Sequence, residues 1–420
     1  MASALALPVG AQVTLPDIDV SGVPGGIVPL PDEVPKLFHK HFVKYTRILA
    51  PNGKPIHILA ADAWTDDQIR HGRDVLEFLL TDHPGSAHGD DKRDIANAMA
   101  DRKATMVFFN TEEDLEDAGW ALFGGTDLSM QDLRANECPA PGDADYMAHA
   151  TRDAAYEEIW HLIHDYGVVP TRPAMVAEMQ AANDAAEESG WQGWPDDEPE
   201  NHANEYVGAL IDNYYDLWTV HPTLYEAHPI EPGDVPEGQS HFGRYFAGSR
   251  AAMRAQDPAG FALMEKFLPP HLTYTPTLPQ DFEGTFSMTF DPEVAYTYKA
   301  QHLRSARLAG SNDAALVGNE HDNALTGNAG DNSLSGGAGD DVLDGGEGED
   351  VALYAGPRAD YEVETAGGTT TVRDRVAGRD GVDTLRGVEL LRFEHGEELR
   401  LAALDGDPPA SGDDDQVARF

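Results

Sequence analysis

The pattern of apolar and polar residues predicts both strands and helices in the first two thirds of the chain. Short, mostly apolar runs at 54–60 and 104–110 predict two strands. Helical spacing of apolar residues predicts three helices, at 65–80, 152–167 and 201–218. Strands mixed with helices in this order predict a mostly helical α+β domain over residues 36–300.

The composition changes on both sides of this domain. Residues 1–35 are rich in Pro, Val and Gly, and they predict an extended leader. Ten glycines fall between residues 310 and 350, and no lysine follows Lys299, so a domain boundary is expected near residue 309. Beyond the boundary we expect an all-β part with three regions: a repeat region at 309–355, a β capping region at 356–402 and an acidic tail at 403–420.

Four nonapeptides follow one another without an insertion. They are GNEHDNALT (318–326), GNAGDNSLS (327–335), GGAGDDVLD (336–344) and GGEGEDVAL (345–353). Position eight of each unit is apolar: Leu325, Leu334, Leu343 and Ala352. One unit cannot bury that side chain alone, so the units are expected to stack into a parallel β-roll with a thin core.

The turns of this predicted roll are candidate calcium sites. Position six supplies a side-chain oxygen, and Ca²⁺ takes six to eight oxygen ligands at ~2.3–2.6 Å. Asp341 and Asp350 are the strongest candidates, while Asn323 and Asn332 lack the charge and should weaken the earlier sites. Glycines permit the tight turns that direct carbonyl oxygens inward. The candidates at these positions are Gly336, Gly337, Gly339, Gly345, Gly346 and Gly348.

The nonapeptides resemble the repeat-in-toxin (RTX) sequence G-G-x-G-x-D-x-U-x, a calcium-binding β-roll repeat of the hemolysin type. Segments 351–363 and 383–397 resemble the capping region of serralysin-type exported proteins. The resemblance implies two or three calcium ions, held between turns on the same side of the roll. It also implies a secreted bacterial protein, exported by a type I machine that reads a C-terminal signal. A flexible Gly/Asp-rich linker is the alternative, and the fixed register disfavours it.

The charge of the chain and its amino-terminal sequence bear on three further questions: nucleic-acid binding, membrane insertion and export. Acidic residues outnumber basic ones by 74 to 29, which excludes a general nucleic-acid surface. No apolar run reaches the ~18 residues of a spanning helix, so no membrane span is predicted. The first basic residue is Lys36, and prolines interrupt the apolar stretch before it, so no amino-terminal secretory signal is predicted. So many carboxylates repel one another unless cations lie among them, which favours divalent metal.

A second candidate metal site lies on the helix predicted at 152–167. Its sequence EEIWH (157–161) differs by one residue from H-E-x-x-H, in which two histidines hold zinc and the glutamate is the general base. We expect His161 to hold Zn²⁺ together with either Glu157 or His164. The segment is similar to gluzincin-type zinc peptidases, which take a further ligand from a Glu on a later helix, and this resemblance implies Glu205. Glu158 is the expected catalytic base, taking a proton from a zinc-bound water.

Segment 152–218 loosely resembles the paired helices of zinc peptidases (zincins) related to the anthrax lethal-factor catalytic fold. The resemblance implies a metallopeptidase-like hydrolase that acts on a peptide or protein. The serralysin motif H-E-x-x-H-x-x-G-x-x-H is absent. One alternative is a non-catalytic exported or cell-surface binding protein on an inactive zincin-like scaffold, with the roll serving calcium-dependent folding and export. The other is an ordinary amphipathic surface helix, in which Glu157 and His161 only pair at i,i+4.

Overall fold

The computed structural model describes residues 13–149, 151–190, 201–217, 245, 247 and 249–401. The acidic tail predicted at 403–420 lies outside the described residues. Helices surround a five-stranded sheet in the amino-terminal part, and two six-stranded sheets form the carboxy-terminal part. The prediction of a helix-rich first part and an all-β second part is therefore confirmed. Among the residues described, no helix is long and apolar enough to cross a membrane.

The five-stranded sheet has its strands in chain order. They are β1 (Val28–Pro29), β2 (Lys44–Leu49), β3 (Pro55–Ala60), β4 (Ala104–Phe109) and β5 (Ser129–Arg134). Strands β3, β4 and β5 are parallel to one another, and β1–β2 and β2–β3 pair antiparallel. The two strands predicted from apolar runs are β3 and β4. All six residues of β4 are buried, which explains why its sequence is apolar except for Thr105.

The three predicted helices are confirmed, with shorter bounds for two of them. Thr65 begins α2 through a capping box with Gln68. The α-helices are α1 (Lys36–His39), α2 (Asp66–Leu80), α3 (Arg93–Asp101), α4 (Glu112–Phe123), α5 (Ala144–Ala148), α6 (Ala155–Ile163), α7 (Val169–Thr171), α8 (Pro173–Glu188), α9 (His202–Tyr214), α10 (Arg250–Gln256), α11 (Pro258–Phe267) and α12 (Thr297–Ala300). A π-helical turn, His164–Val168, joins α6 to α7.

The described part of the predicted leader packs on the five-stranded sheet. Its strand β1 pairs with β2, and Leu15, Ile18 and Val34 are buried. They share a cluster with Val107 and Phe109 of β4, whereas the alternate residues of that strand join the larger core. Because successive side chains of a strand point to opposite faces, residues 13–35 cover one face of the sheet.

The two sheets of the carboxy-terminal part form a roll. One contains, in spatial order, β6 (Gly284–Ser287), β8 (Ala314–Val317), β10 (Ser333–Ser335), β12 (Val351–Leu353), β16 (Leu390–Arg392) and β17 (Glu398–Arg400). The other contains β7 (Ser305–Arg307), β9 (Ala324–Thr326), β11 (Val342–Asp344), β15 (Val382–Arg386), β14 (Thr369–Asp374) and β13 (Tyr361–Ala366). Successive nonapeptides alternate between the sheets, so strands two units apart pair in parallel.

The roll begins before the repeats, with β6 and β7. Helix α12 connects these strands, and it packs into the amino-terminal fold. The Lys299 ammonium lies 4.1 Å from the ring centroid of Tyr146, and the rings of Phe286 and Tyr296 also approach Tyr146. A single hydrophobic core therefore runs from the five-stranded sheet into the roll.

The position-eight leucines form the core of the roll. Leu325 pairs with Leu343, and Leu316 pairs with Leu334; each is at most 1% exposed. We expect Leu343→Ala to lower the free energy of unfolding by about 2–5 kcal/mol, because it removes buried methyl groups and leaves a cavity.

The neighbouring Val342 is the matched control for Leu343, since it lies on the same strand and is 43% exposed. Val342→Ala should change stability much less when both variants are unfolded by denaturant in calcium-containing buffer. Equal losses for the two variants would contradict a core built on position eight.

Candidate metal centres

The turns of the roll bring the position-six side chains inside. Asn323, Asn332, Asp341 and Asp350 are all at most 3% exposed. In the last two turns the predicted positions require glycine for two reasons, backbone conformation and lack of space for a Cβ atom. Gly337 and Gly339, like Gly346 and Gly348, have positive φ angles that side chains rarely adopt. A Cβ atom on Gly336 would lie 2.0 Å from Oδ2 of Asp341, and one on Gly345 would lie 2.5 Å from Oδ2 of Asp350.

Asp341 and Asp350 each have one oxygen that lacks a partner. Their Oδ1 atoms accept hydrogen bonds from the backbone N–H groups of Asn323 and Asn332, both at 2.7 Å. Their Oδ2 atoms are buried with no hydrogen-bond partner in the described part of the chain. The pKa of both carboxyls is raised to about 7, chiefly by burial and in smaller part by neighbouring acidic groups, although the backbone hydrogen bond to each opposes the rise. A cation would compensate these buried oxygens, so the residues present fit Ca²⁺.

The asparagines of the first two turns are satisfied without an ion. Oδ1 of Asn323 accepts from the backbone N–H of Asn319 at 2.7 Å, and its Nδ2 donates to Oδ1 of Asn319 at 3.0 Å. Asn332 makes the same pair of bonds with Asn328, at 2.7 and 3.1 Å. Amide groups therefore replace part of the electrostatic role of a cation in these turns.

Comparison with known proteins agrees with this geometry. The family model described as the RTX calcium-binding nonapeptide repeat matches residues 317–352, in four copies. These residues are RTX repeats. The expected resemblance is thus confirmed for this part of the chain.

The search of solved structures gives a partial match. The chain is similar to the extracellular lipase LipA from Serratia marcescens, with 23% identity and a TM-score of 0.14. The similar region covers 22% of this chain and 17% of the lipase chain, so this chain spans less than a fifth of that protein. No curated protein matches the sequence significantly.

A second group of potential ligands lies far from the RTX repeats, between α6 and α9. Ligand atoms of Glu157, His161 and Glu205 all lie within 4.8 Å of one another. Nε2 of His161 is 3.9 Å from Oε1 of Glu157 and 3.7 Å from Oε1 of Glu205. One imidazole and two carboxylates are a donor set that fits Zn²⁺.

His164 does not join that group within the described residues. The chain leaves α-helical geometry at His164, where the π-helical turn begins, and Nδ1 of His164 lies 2.7 Å from Oδ1 of Asp165. Of the two alternatives for the third ligand, Glu157 is the one that the structure places beside His161. Eight of the nine residues of α6 are buried, including Glu157 and His161. The exposed position expected in the alternative of an ordinary surface helix is therefore wrong, although the i,i+4 pair of Glu157 and His161 is present.

The group is strongly coupled electrostatically. Burial opposes the ionisation of Glu157, but Arg152, which forms an ion pair with it, lowers its pKa. Burial also opposes charge on His161, yet Glu157 and Glu205 raise its pKa to about 10. A metal ion must therefore displace a proton from His161, and metal affinity should fall at low pH.

Glu158, the expected base, is half-buried beside the group. Its Oε2 accepts a hydrogen bond from Nε2 of Gln131 on β5, at 2.7 Å. Burial, and then the charge of Glu157, raise its pKa to about 8. The side chain is thus oriented by the sheet and can accept a proton near that pH.

Asp212 is a buried acid that the sequence reasoning missed. Both of its carboxylate oxygens are buried without a hydrogen-bond partner among the residues described. Burial raises its pKa well above the usual range, and Glu157 adds to the effect. Asp212 follows Glu205 by seven residues on α9, and this helical spacing is the sequence signal that could have identified it.

A third buried group was also missed. Nε2 of His71 on α2 lies 2.6 Å from Oδ2 of Asp153, and both side chains are 2% exposed. The Cys138 thiol lies in the same group, and burial raises its pKa well above the usual value. His71 and Asp153 are 82 residues apart, so no local spacing connects them.

Proposed function

We propose that the protein is a secreted calcium-binding protein whose RTX repeats complete their fold around Ca²⁺ outside the cell. The observation that carries the proposal is the pair of buried Oδ2 atoms on Asp341 and Asp350, unpartnered within the described residues. Export through a type I machine fits this function, because low cytoplasmic calcium would leave the repeats unfolded until they reach the outside.

Calcium titration of the intact chain tests this function. In the double variant Asp341→Ala/Asp350→Ala, circular dichroism should require at least about tenfold more calcium for the same strand signal, because two charged ligands are lost. The matched control is Glu320→Gln/Glu347→Gln, which removes two charges from exposed residues in turns of the same repeats. The proposal fails if the wild-type protein binds no calcium, or if the two double variants titrate alike.

The group formed by Glu157, His161 and Glu205 favours a second candidate function, a metallopeptidase-type hydrolase. A bound zinc ion would supply Lewis acidity and lower the pKa of a coordinated water. The chain itself contributes three features: Arg152 fixes Glu157, His161 presents an imidazole to both carboxylates, and Gln131 orients Glu158 as the proton acceptor. On an inactive scaffold the same residues would hold metal without turnover.

Metal analysis separates these alternatives. We expect the purified wild-type protein to retain about one zinc per chain, the usual content of a single site. His161→Ala should lose the zinc and any casein cleavage, whereas His164→Ala should keep both because His164 lies outside the group. Zinc retained without cleavage by wild type supports the inactive scaffold. Protein that retains no transition metal and does not cleave casein contradicts the hydrolase, and leaves the calcium function untouched.

A further inference from the structure

A degenerate nonapeptide lies in the capping region, beyond the end of the family match at residue 352. Residues 378–386 read GRDGVDTLR and align with GGAGDDVLD at 336–344. Glycine is kept at positions one and four, aspartate at position six and leucine at position eight. Position six is Asp383.

The structure stacks this segment on the RTX repeats. Strand β15 pairs in parallel with β11, with Thr384 opposite Val342 and Leu385 opposite Leu343. The intervening residues contain the antiparallel pair β13–β14, so they form an insertion between consecutive units on one side of the roll. The backbone N–H of Val382 donates to Oδ1 of Asp340 at 2.9 Å, as that of Asp340 donates to Oδ1 of Asp322.

The hydrogen bonds between stacked units also continue into the capping region at position six. The backbone N–H of Asn323 donates to Oδ1 of Asp341, and the backbone N–H of Asp341 donates to Oδ1 of Asp383 at 3.1 Å. On the opposite side of the roll, the backbone N–H of Asp350 donates to Oε2 of Glu389 at 2.8 Å. Asp383 is 2% exposed.

These hydrogen bonds join the position-six residues into two ladders, one on each side of the roll. In each ladder the side chain changes from an amide to a carboxylate toward the capping region. One runs Asn323, Asp341, Asp383, and the other runs Asn332, Asp350, Glu389. Within these two series, two carboxylates are adjacent only where the last RTX turns meet the capping region. In the turns that precede Asp341 and Asp350 in each ladder, the Oδ1 atoms of the position-six asparagines instead accept hydrogen bonds from backbone N–H groups of the same turn.

We infer that the strongest calcium sites lie at this junction, where Asp383 and Glu389 of the capping region complete the ligand sets of Asp341 and Asp350. Within the described part of the roll, the buried Oδ2 atoms without a hydrogen-bond partner are those of Asp341 and Asp350, in the turns beside the junction. Arg379, one of the two arginines of the degenerate unit, is already paired with Asp374 at 2.6 Å and Asp360 at 3.1 Å. The capping region is thus a ligand donor as well as a cover for the end of the roll.

The inference rests on calcium binding by the repeats, and calorimetric titration of the full chain tests it. Asp383→Asn and Glu389→Gln should each weaken one of the tightest calcium sites about tenfold or more, because calcium affinity follows the number of charged ligands. Glu364→Gln is the matched control, since it removes one charge from an exposed residue on β13.

Thermal melting with and without calcium distinguishes a lost calcium ligand from a variant that is simply less stable. In calcium-free buffer, Asp383→Asn should melt at a temperature equal to or above that of wild type, because it removes repulsion from Asp341; with calcium it should melt below wild type. The inference is overturned if wild type binds calcium while both variants titrate like Glu364→Gln, or if Asp383→Asn melts below wild type in calcium-free buffer. If wild type binds no calcium, the proposed function fails as well.

Discussion

Without calcium, the protein is expected to become less stable as the pH rises from 5 to 8. The pKa values of Asp341 and Asp350 are raised to about 7 and that of Asp383 to about 8, chiefly by burial. An unfolded chain has Asp pKa values of ~3.9, so the folded roll binds more protons than the unfolded chain over this range. The stability that these protons provide is complete below pH ~4 and is lost as the pH rises through 7 to 8.

Saturating calcium should reverse this dependence, because protons then compete with the ion for the same carboxylates. At pH 8 we expect calcium to raise the melting temperature by about 10 °C or more, which corresponds to a few kcal/mol in a protein of this size. Thermal unfolding in calcium-depleted and calcium-containing buffers from pH 5 to 8 measures both effects. A calcium-free melting temperature that stays constant or rises with pH would count against buried, ion-free aspartates.

The second large effect is expected at the buried pair of His71 and Asp153. His71→Leu should lower the free energy of unfolding by about 3–5 kcal/mol, because it leaves a carboxylate buried without its partner. The pKa of His71 is raised, since Asp153 outweighs the opposing effect of burial. Denaturant unfolding of His71→Leu, Asp153→Leu and the double variant gives the coupling energy.

His57 supplies the control for this pair. It is also buried, but burial lowers its pKa to about 4, and its Nδ1 lies 2.9 Å from the Tyr45 hydroxyl. His57→Leu therefore removes a neutral hydrogen bond, and it should destabilise the fold by only about 1–3 kcal/mol. Additive single losses in the His71 and Asp153 cycle would show that the two side chains do not form a coupled ion pair.

The sequence was most informative where the physical cause is local. The strand β4 followed from its mostly apolar run, the helix α2 from its helical spacing of apolar residues, and the roll from the ninefold register. In each case neighbouring residues determine the structure, through backbone preference or through a side chain that repeats at a fixed spacing.

Features that depend on distant contacts were not predicted. Strands β6 and β7 carry no nonapeptide signature, and only their pairing with β8 and β9 places them in the roll. An insertion interrupts the register before Asp383, which hides that residue from a search by nines. Helical spacing placed His164 with Glu157 and His161, but the π-helical turn after Ile163 interrupts the α-helical spacing on which that prediction rests.

The interleaving of α12 with β6 and β7 has a thermodynamic consequence. The start of the roll, formed by β6 and β7, cannot separate from the amino-terminal part without exposing Phe286 and Tyr296, which pack against Tyr146 in that part. Melting of the two halves is then linked, and calcium bound to the roll would also stabilise the helical half against unfolding. The extracellular calcium concentration would set how long the whole polypeptide resists heat and proteolysis.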